Sequence, residues 1–336
     1  MARIICIGST SKDIFFPTSD GIILDTPEDL TSQRKIAFEL GAKYHIDDRF
    51  EALGGCAANV AGGLARLGLG ASCYTTIGDD LAGEWIKNEF KKVGVDTSYL
   101  RRENDCQSDL SAIVVDKESG ERVIFSNQKA NAKLEFIPEK IENPEWIFIG
   151  DLSGKWKENL AKIIEFAAKN KVHLAFNPRQ KTIHDNVGKV IEAVHSCDLL
   201  LLNKDESIEI VSSLGKGFST DQLNDEVTLI RTLKELGPRI VALTDGARGA
   251  WSYGGDKIFQ AEAIVTEPLE TTGAGDAFSS GFLAATIKGK DLNESLRWGI
   301  ANGGSSVKFY GAHGGLLNEA EMSEKIKEIK ARAIGL

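Results

Sequence analysis

Short apolar runs alternate with longer amphipathic ones along most of this chain. RIICIG (3 to 8), SCYTTI (72 to 77), WIFIG (146 to 150), HLAFN (173 to 177), DLLLL (198 to 202) and RIVALT (239 to 244) are nearly continuous apolar segments of strand length. They predict strands covered on both faces. Between them, residues 57 to 68, 80 to 93, 156 to 170 and about 222 to 236 read as helices, the second ending at Gly94. Strands separated by helices require crossover connections, which implies an α/β fold with a doubly wound, mainly parallel sheet. Ligands of such sheets bind beyond the carboxyl ends of the strands.

Two stretches break the alternation. Residues 108 to 127 (SDLSAIVVDKESGERVIFSN) read as a hairpin about Glu118, Ser119 and Gly120. Residues 14 to 53 are far longer than an ordinary strand-to-helix connection, and DLTSQRKIAFELGAK (29 to 43) within them has the composition of a helix. No run of Pro, Ser or like charge and no internal repeat divides the chain. Its 336 residues are therefore expected to form a single domain.

The densest chemistry lies in ETTGAGDAFSSGF, residues 270 to 282. Gly273 and Gly275 let the backbone adopt positive φ and approach a ligand closely. Phe278, Phe282 and Leu283 mark the helix that follows, whose unpaired N–H groups and dipole attract anions. Asp276 is the nearby group able to take a proton from an attacking hydroxyl. Gly and Asp at a helix start also make an ordinary N-cap. A second cluster, LGGCAANVAGGLARLG (53 to 68), opens a helix of small residues suited to close packing.

Together these residues resemble the signatures of the PfkB, or ribokinase-like, carbohydrate kinase family. The pattern D-T-x-G-A-G-D is matched at Thr271, Gly273, Ala274, Gly275 and Asp276, with Glu270 in place of the first Asp. The resemblance implies ATP-dependent phosphorylation of a primary hydroxyl on a small sugar. Asp276 would be the base, and the amides of Gly273, Ala274 and Gly275 would form the anion hole. It further implies that Gly54, Gly55 and Asn59 touch the sugar, and that Asp13, ending GSTSKD, binds its hydroxyls. Asn131 and Asp151 would stand on the substrate side. Asn203 and Glu206 in LLLLNKDE would order Mg²⁺ through waters, and Thr244, Asp245, Gly246 and Gly249 in VALTDGARG would hold the nucleotide. Asn302 would lie by the adenine.

Glu270 takes the place of the acid that binds a monovalent cation such as K⁺ in family members. The two irregular stretches, about 14 to 53 and 105 to 128, resemble the family's β lid over the sugar, with a homodimer through the lid as a further expectation. A nucleoside is the alternative acceptor, because FNPR (176 to 179) is found in sugar and nucleoside kinases alike. A non-catalytic sugar sensor on the same fold is the reading from another class.

Composition narrows the field. A formal net charge of −9 argues against a nucleic-acid partner. Five scattered cysteines without a C-x-x-C pair indicate neither a disulfide framework nor a zinc site. The first strand-to-helix turn lacks G-x-G-x-x-G, and no G-x-x-x-x-G-K-[ST] occurs, so dinucleotide-binding and P-loop readings fail. The apolar start is too short for a signal peptide, and no run of eighteen apolar residues occurs. A cytoplasmic protein with no membrane partner is expected.

Overall fold

The computed structural model describes residues 3–26, 34–142 and 144–335. Its main sheet has ten strands, ordered Ala331–Ile334, Lys257–Ala261, Ala250–Gly254, Ile240–Thr244, Leu199–Asn203, His173–Asn177, Trp146–Gly150, Arg3–Gly8, Gly70–Gly78 and Leu100–Glu103. The run from Ile240–Thr244 to Leu100–Glu103 is parallel. The first three strands extend it in antiparallel fashion. Alternate side chains of one strand enter opposite cores: Ile4 and Cys6 join one apolar cluster, Ile5 and Ile7 the other. The apolar runs are continuous because helices cover both faces.

The predicted central strands and the helices over 57 to 68, 80 to 93 and 156 to 170 are present, the last as Trp156–Asn170. Asp80 caps the helix Leu81–Lys92 by accepting from the N–H of Gly83 at 2.8 Å. The antiparallel extension is unanticipated, because its short half-polar strands carry no continuous apolar run. The helix expected over 29 to 43 is also corrected. Residues 29 to 33 lie outside the described ones, while Arg34–Ala37 is a strand paired with Ile22–Asp25. Phe38 and Leu40 beyond it are exposed, so an amphipathic helix there would have nothing to pack against.

A second sheet, ordered Phe50–Gly54, Ser11–Thr18, Leu110–Asp116 and Arg122–Asn127, stands over the carboxyl ends of the parallel strands. The GSTSKD segment is therefore no simple turn. The chain leaves the main sheet at Gly8 and enters the small sheet at Ser11, which puts Asp13 on a strand of the lid. No described helix is long and apolar enough to cross a membrane.

Two helices of small residues carry the chemistry-bearing segments, Cys56–Arg66 and Ala274–Ile287. Their approach is close: a Cβ on Gly63 would stand 2.1 Å from the Ser280 Oγ and 2.5 Å from its Cβ. Gly63→Val should therefore overpack this crossing and destabilise the protein by about 1–3 kcal/mol, read as a lowered urea midpoint at unchanged slope.

Candidate active site

Asp276 lies in the first turn of Ala274–Ile287 and is 4% exposed. The N-cap is Gly273, left-handed at φ +81, where a Cβ would fall 2.4 Å from that of Ala312; only glycine fits. Among the described residues the backbone N–H groups of Gly275 and Asp276 have no hydrogen-bond acceptor, whereas that of Ala274, expected in the anion hole, is bound to the Thr271 carbonyl at 3.3 Å and that of Ala277 to the Gly273 carbonyl. The turn thus presents free donors at a helix N-terminus beside one buried carboxylate.

That carboxylate is held from two sides. Asn59 Nδ2 donates to one oxygen at 2.8 Å, and Arg179 Nη2 donates to the other at 2.7 Å. Three distant segments meet here: the small-residue helix, the carboxyl end of strand His173–Asn177, and the glycine turn. Burial opposes the charge on Arg179, but Asp276, Cys56, Asp151 and Glu206 outweigh it and hold the guanidinium well above its ordinary range. Arg179 is the last residue of FNPR and has no role among the sequence expectations. Its signal was an arginine just past a parallel strand's carboxyl end.

The substrate-side expectations divide. Gly54 is glycine because Asp13 needs the space: a Cβ there would lie 1.9 Å from Asp13 Oδ2. Gly55, at φ +92, sits against the backbone of Ser9 and Thr10. Asp13 is buried, which raises its pKa against the hydrogen bonds of Ser11 and Ser111, and Glu270 and Asp276 add to the rise. Asp151 follows strand Trp146–Gly150 at φ +52, a conformation Asp tolerates better than most residues. Asn131, by contrast, has its amide fully engaged. Nδ2 donates to the Thr10 carbonyl and to Asp109, while Oδ1 accepts from Thr10 N and Thr75 Oγ1. It braces the segment leading to Asp13 and has no hydrogen-bonding position left for a sugar.

Most nucleotide-side residues also have structural partners. Asn203 and Glu206 form a capping box on helix Lys204–Ser213, with Asn203 N donating to Glu206 Oε2 at 2.9 Å and Glu206 N to Asn203 Oδ1 at 2.8 Å. Thr244 ends its strand, and Gly246 has open space around it. Gly249 is demanded by the backbone, since a Cβ would fall 2.1 Å from the Ala261 carbonyl oxygen. Asp245 faces Lys204 and Arg248 in an ion cluster with Glu226. Asn302, expected beside adenine, is wholly buried; it donates to the Ala277 carbonyl and Ser280 Oγ and accepts from Leu317 N. It ties the helix Leu292–Ser306 to the one bearing Asp276.

The metal expectations can be weighed against these groups. No cluster of three His, Cys, Asp or Glu side chains suited to a metal occurs among the described residues. Mg²⁺ needs no such cage, because it keeps its waters and binds through one or two carboxylates plus phosphates. Glu206, buried behind the site, fits that role. The K⁺ expectation at Glu270 does not fit: one carboxylate oxygen accepts from Thr272 N, and Arg122 Nε lies 3.9 Å from that same oxygen. The charge a monovalent cation would neutralise is already faced by a guanidinium. No sequence signal pointed to Arg122, which is 148 positions from Glu270.

The parallel sheet, the small second sheet and the glycine turn define a ribokinase-like α/β fold. Comparison with known proteins agrees. The pfkB family carbohydrate kinase pattern matches residues 34–318. Ribokinase of Bacillus subtilis is 29% identical over 280 residues, 81% of this chain and 86% of that protein. Among solved structures, Methanocaldococcus jannaschii nucleoside kinase superposes with a TM-score of 0.76 at 22% identity, covering 98% of this chain and 99% of that one. Ribokinase from Cryptococcus neoformans in complex with ADP gives 0.74 at 22% identity, covering 97% and 100%. At that identity the two structures speak for the fold alone. The chain belongs to the PfkB family of carbohydrate kinases.

Burial pushes the Glu206 pKa up to about 7; Arg179 and the Asn203 N–H oppose the rise, and Asp276 and Glu209 add to it. The folded protein then holds a proton between about pH 4.5 and 7 that the unfolded chain releases, so this contribution to stability is lost as pH rises through that window. Metal-free Glu206→Gln should show a flatter stability profile there and exceed wild type at pH 8 by up to roughly 3 kcal/mol, measured by urea unfolding across pH.

Proposed function

We propose that the protein transfers the γ-phosphoryl group of ATP to a primary hydroxyl of a small sugar. The observation that carries this reading is the buried carboxylate of Asp276 beside the free amides of Gly275 and Asp276. A base and an anion hole in contact match the needs of phosphoryl transfer, where catalysis is mostly positioning and charge stabilisation.

In this mechanism Asp13, on the lid, accepts hydrogen bonds from the sugar hydroxyls, and Gly54 and Gly55 let the acceptor approach the backbone. Asn59 and Arg179 orient the Asp276 carboxylate through their two hydrogen bonds. Asp276 takes the proton of the attacking hydroxyl as the oxygen reaches phosphorus, and the amides of the glycine turn receive the negative charge that develops. With the γ-phosphate in the turn, Arg179 bridges it to Asp276, so one guanidinium orients the base and stabilises the transferring group. Asn203 and Glu206 would hold Mg²⁺ through waters; the metal shields the phosphates when bound. The loop from Thr244 to Gly249 lies beside this pair and is the site for the nucleotide.

A positioned general base contributes about 10²–10⁴-fold. Asp276→Asn should therefore lower kcat by that factor while leaving ATP affinity within a few-fold. The assay is ADP release from Mg·ATP over a panel of sugars and ribonucleosides. Turnover on ribonucleosides alone would transfer the reading to a nucleoside kinase. Sugar binding without turnover by any acceptor would make the protein a sensor.

A further inference from the structure

The tip of the lid hairpin rests on the segment that leads into the glycine turn. Gly120, at φ +69, lies so near this segment that a Cβ would stand 3.1 Å from the Pro268 carbonyl oxygen and 3.3 Å from that of Leu269. Two residues further on, Arg122 Nη1 donates to Thr271 Oγ1 at 2.7 Å, with its Nε 3.9 Å from Glu270 Oε1. Glu270 is 1% exposed; Oε1 accepts from Thr272 N, and Oε2 is buried without a hydrogen-bond partner. A buried carboxylate with an unpaired oxygen is costly unless a cation faces it. Arg122 is the cation within ion-pair distance of Glu270 among the described residues.

These contacts form a continuous path. It runs from the lid guanidinium to Thr271 and Glu270, then through Glu270 to the amide of Thr272, and so to Gly273, whose left-handed conformation aims the free donors of the turn. The main chain on the other side is anchored, since Leu269 N and Glu270 N both donate to the Val307 carbonyl. The lid side is held by Gly120 and Arg122. Arg122 is 30% exposed, so it is a residue that lid movement can withdraw.

We propose that Arg122 is a positioning residue that latches the lid to the glycine turn, so that the anion hole is fully formed only with the lid in place. Its guanidinium does the work of a monovalent cation at Glu270, and turnover does not require K⁺. This rests on the kinase reading above only for its activity readout.

The test uses the full-length wild type, Arg122→Met and Arg122→Lys. Hydrogen exchange without substrate follows the amides of residues 271 to 276, and ADP release is measured in K⁺, Na⁺ and tetramethylammonium salts. The expected result is a wild-type rate constant within twofold across the three salts. Arg122→Met should exchange at least tenfold faster in the turn, with the main sheet unchanged. It should lose at least tenfold in kcat, with the KM for acceptor moving less than threefold. Arg122→Lys, or guanidinium added to Arg122→Met, should recover part of kcat. Stimulation of wild type several-fold by K⁺ would assign Glu270 Oε2 to an ion and overturn the proposal, as would wild-type exchange in Arg122→Met. If no acceptor is phosphorylated, the kinase reading fails, and the exchange experiment still decides whether the latch exists.

Discussion

The close crossing of two glycine- and alanine-rich helices is the constraint on which the site depends. Gly63 meets Ser280 with no room for another carbon, and the same approach lets Asn59 on one helix reach Asp276 on the other at 2.8 Å. Interiors are packed tightly enough that one added methyl is felt. Asn302 reinforces the arrangement from a third helix by binding the Ala277 carbonyl and Ser280 Oγ. The Asp276 carboxylate is therefore placed by the close packing of these helices.

Charge is organised around that fixed point. Four carboxylates, Asp13, Glu206, Glu270 and Asp276, are each less than a tenth exposed, and burial, with neighbouring carboxylates adding to it, raises the pKa values of the first two. Two arginines meet this negative charge from different layers, Arg179 from the main sheet and Arg122 from the lid. Arg179 binds Asp276 directly. Arg122 meets Thr271 and Glu270 at the entry to the glycine turn, so the turn and the acid within it are tied to different layers of the fold.

Much of this was legible along the chain. The left-handed cap at Gly273 and the acid at Asp276 were readable as local features of a helix start, whereas Gly275 is an ordinary helical residue with open space around it and does not take the positive φ expected of it. Gly54 and Gly55 were marked only by the resemblance, and the structure shows why each is glycine, since a Cβ would strike Asp13 or the backbone of Ser9 and Thr10. Asn131 and Asn302 were not readable, and the cause is chemical. An asparagine that meets a ligand and one that braces two backbone segments occupy the same kind of position, and both require an amide. Asn203 and Glu206 show the same ambiguity, because three-residue spacing makes a capping box whether or not phosphates lie nearby.

By itself the sequence determined the layered parallel architecture, because strand-length apolar runs between amphipathic helices have few ways to bury both faces of a sheet. It also determined the glycine turn and the acid within it, which are local features of the backbone. Tertiary structure alone decided what stands against that acid. Asp276 meets Asn59 and Arg179 across 217 and 97 positions, and Arg122 reaches Thr271 across 149. Such meetings follow from how the helices cross and where the lid comes to rest, and periodicity along a chain carries no record of either.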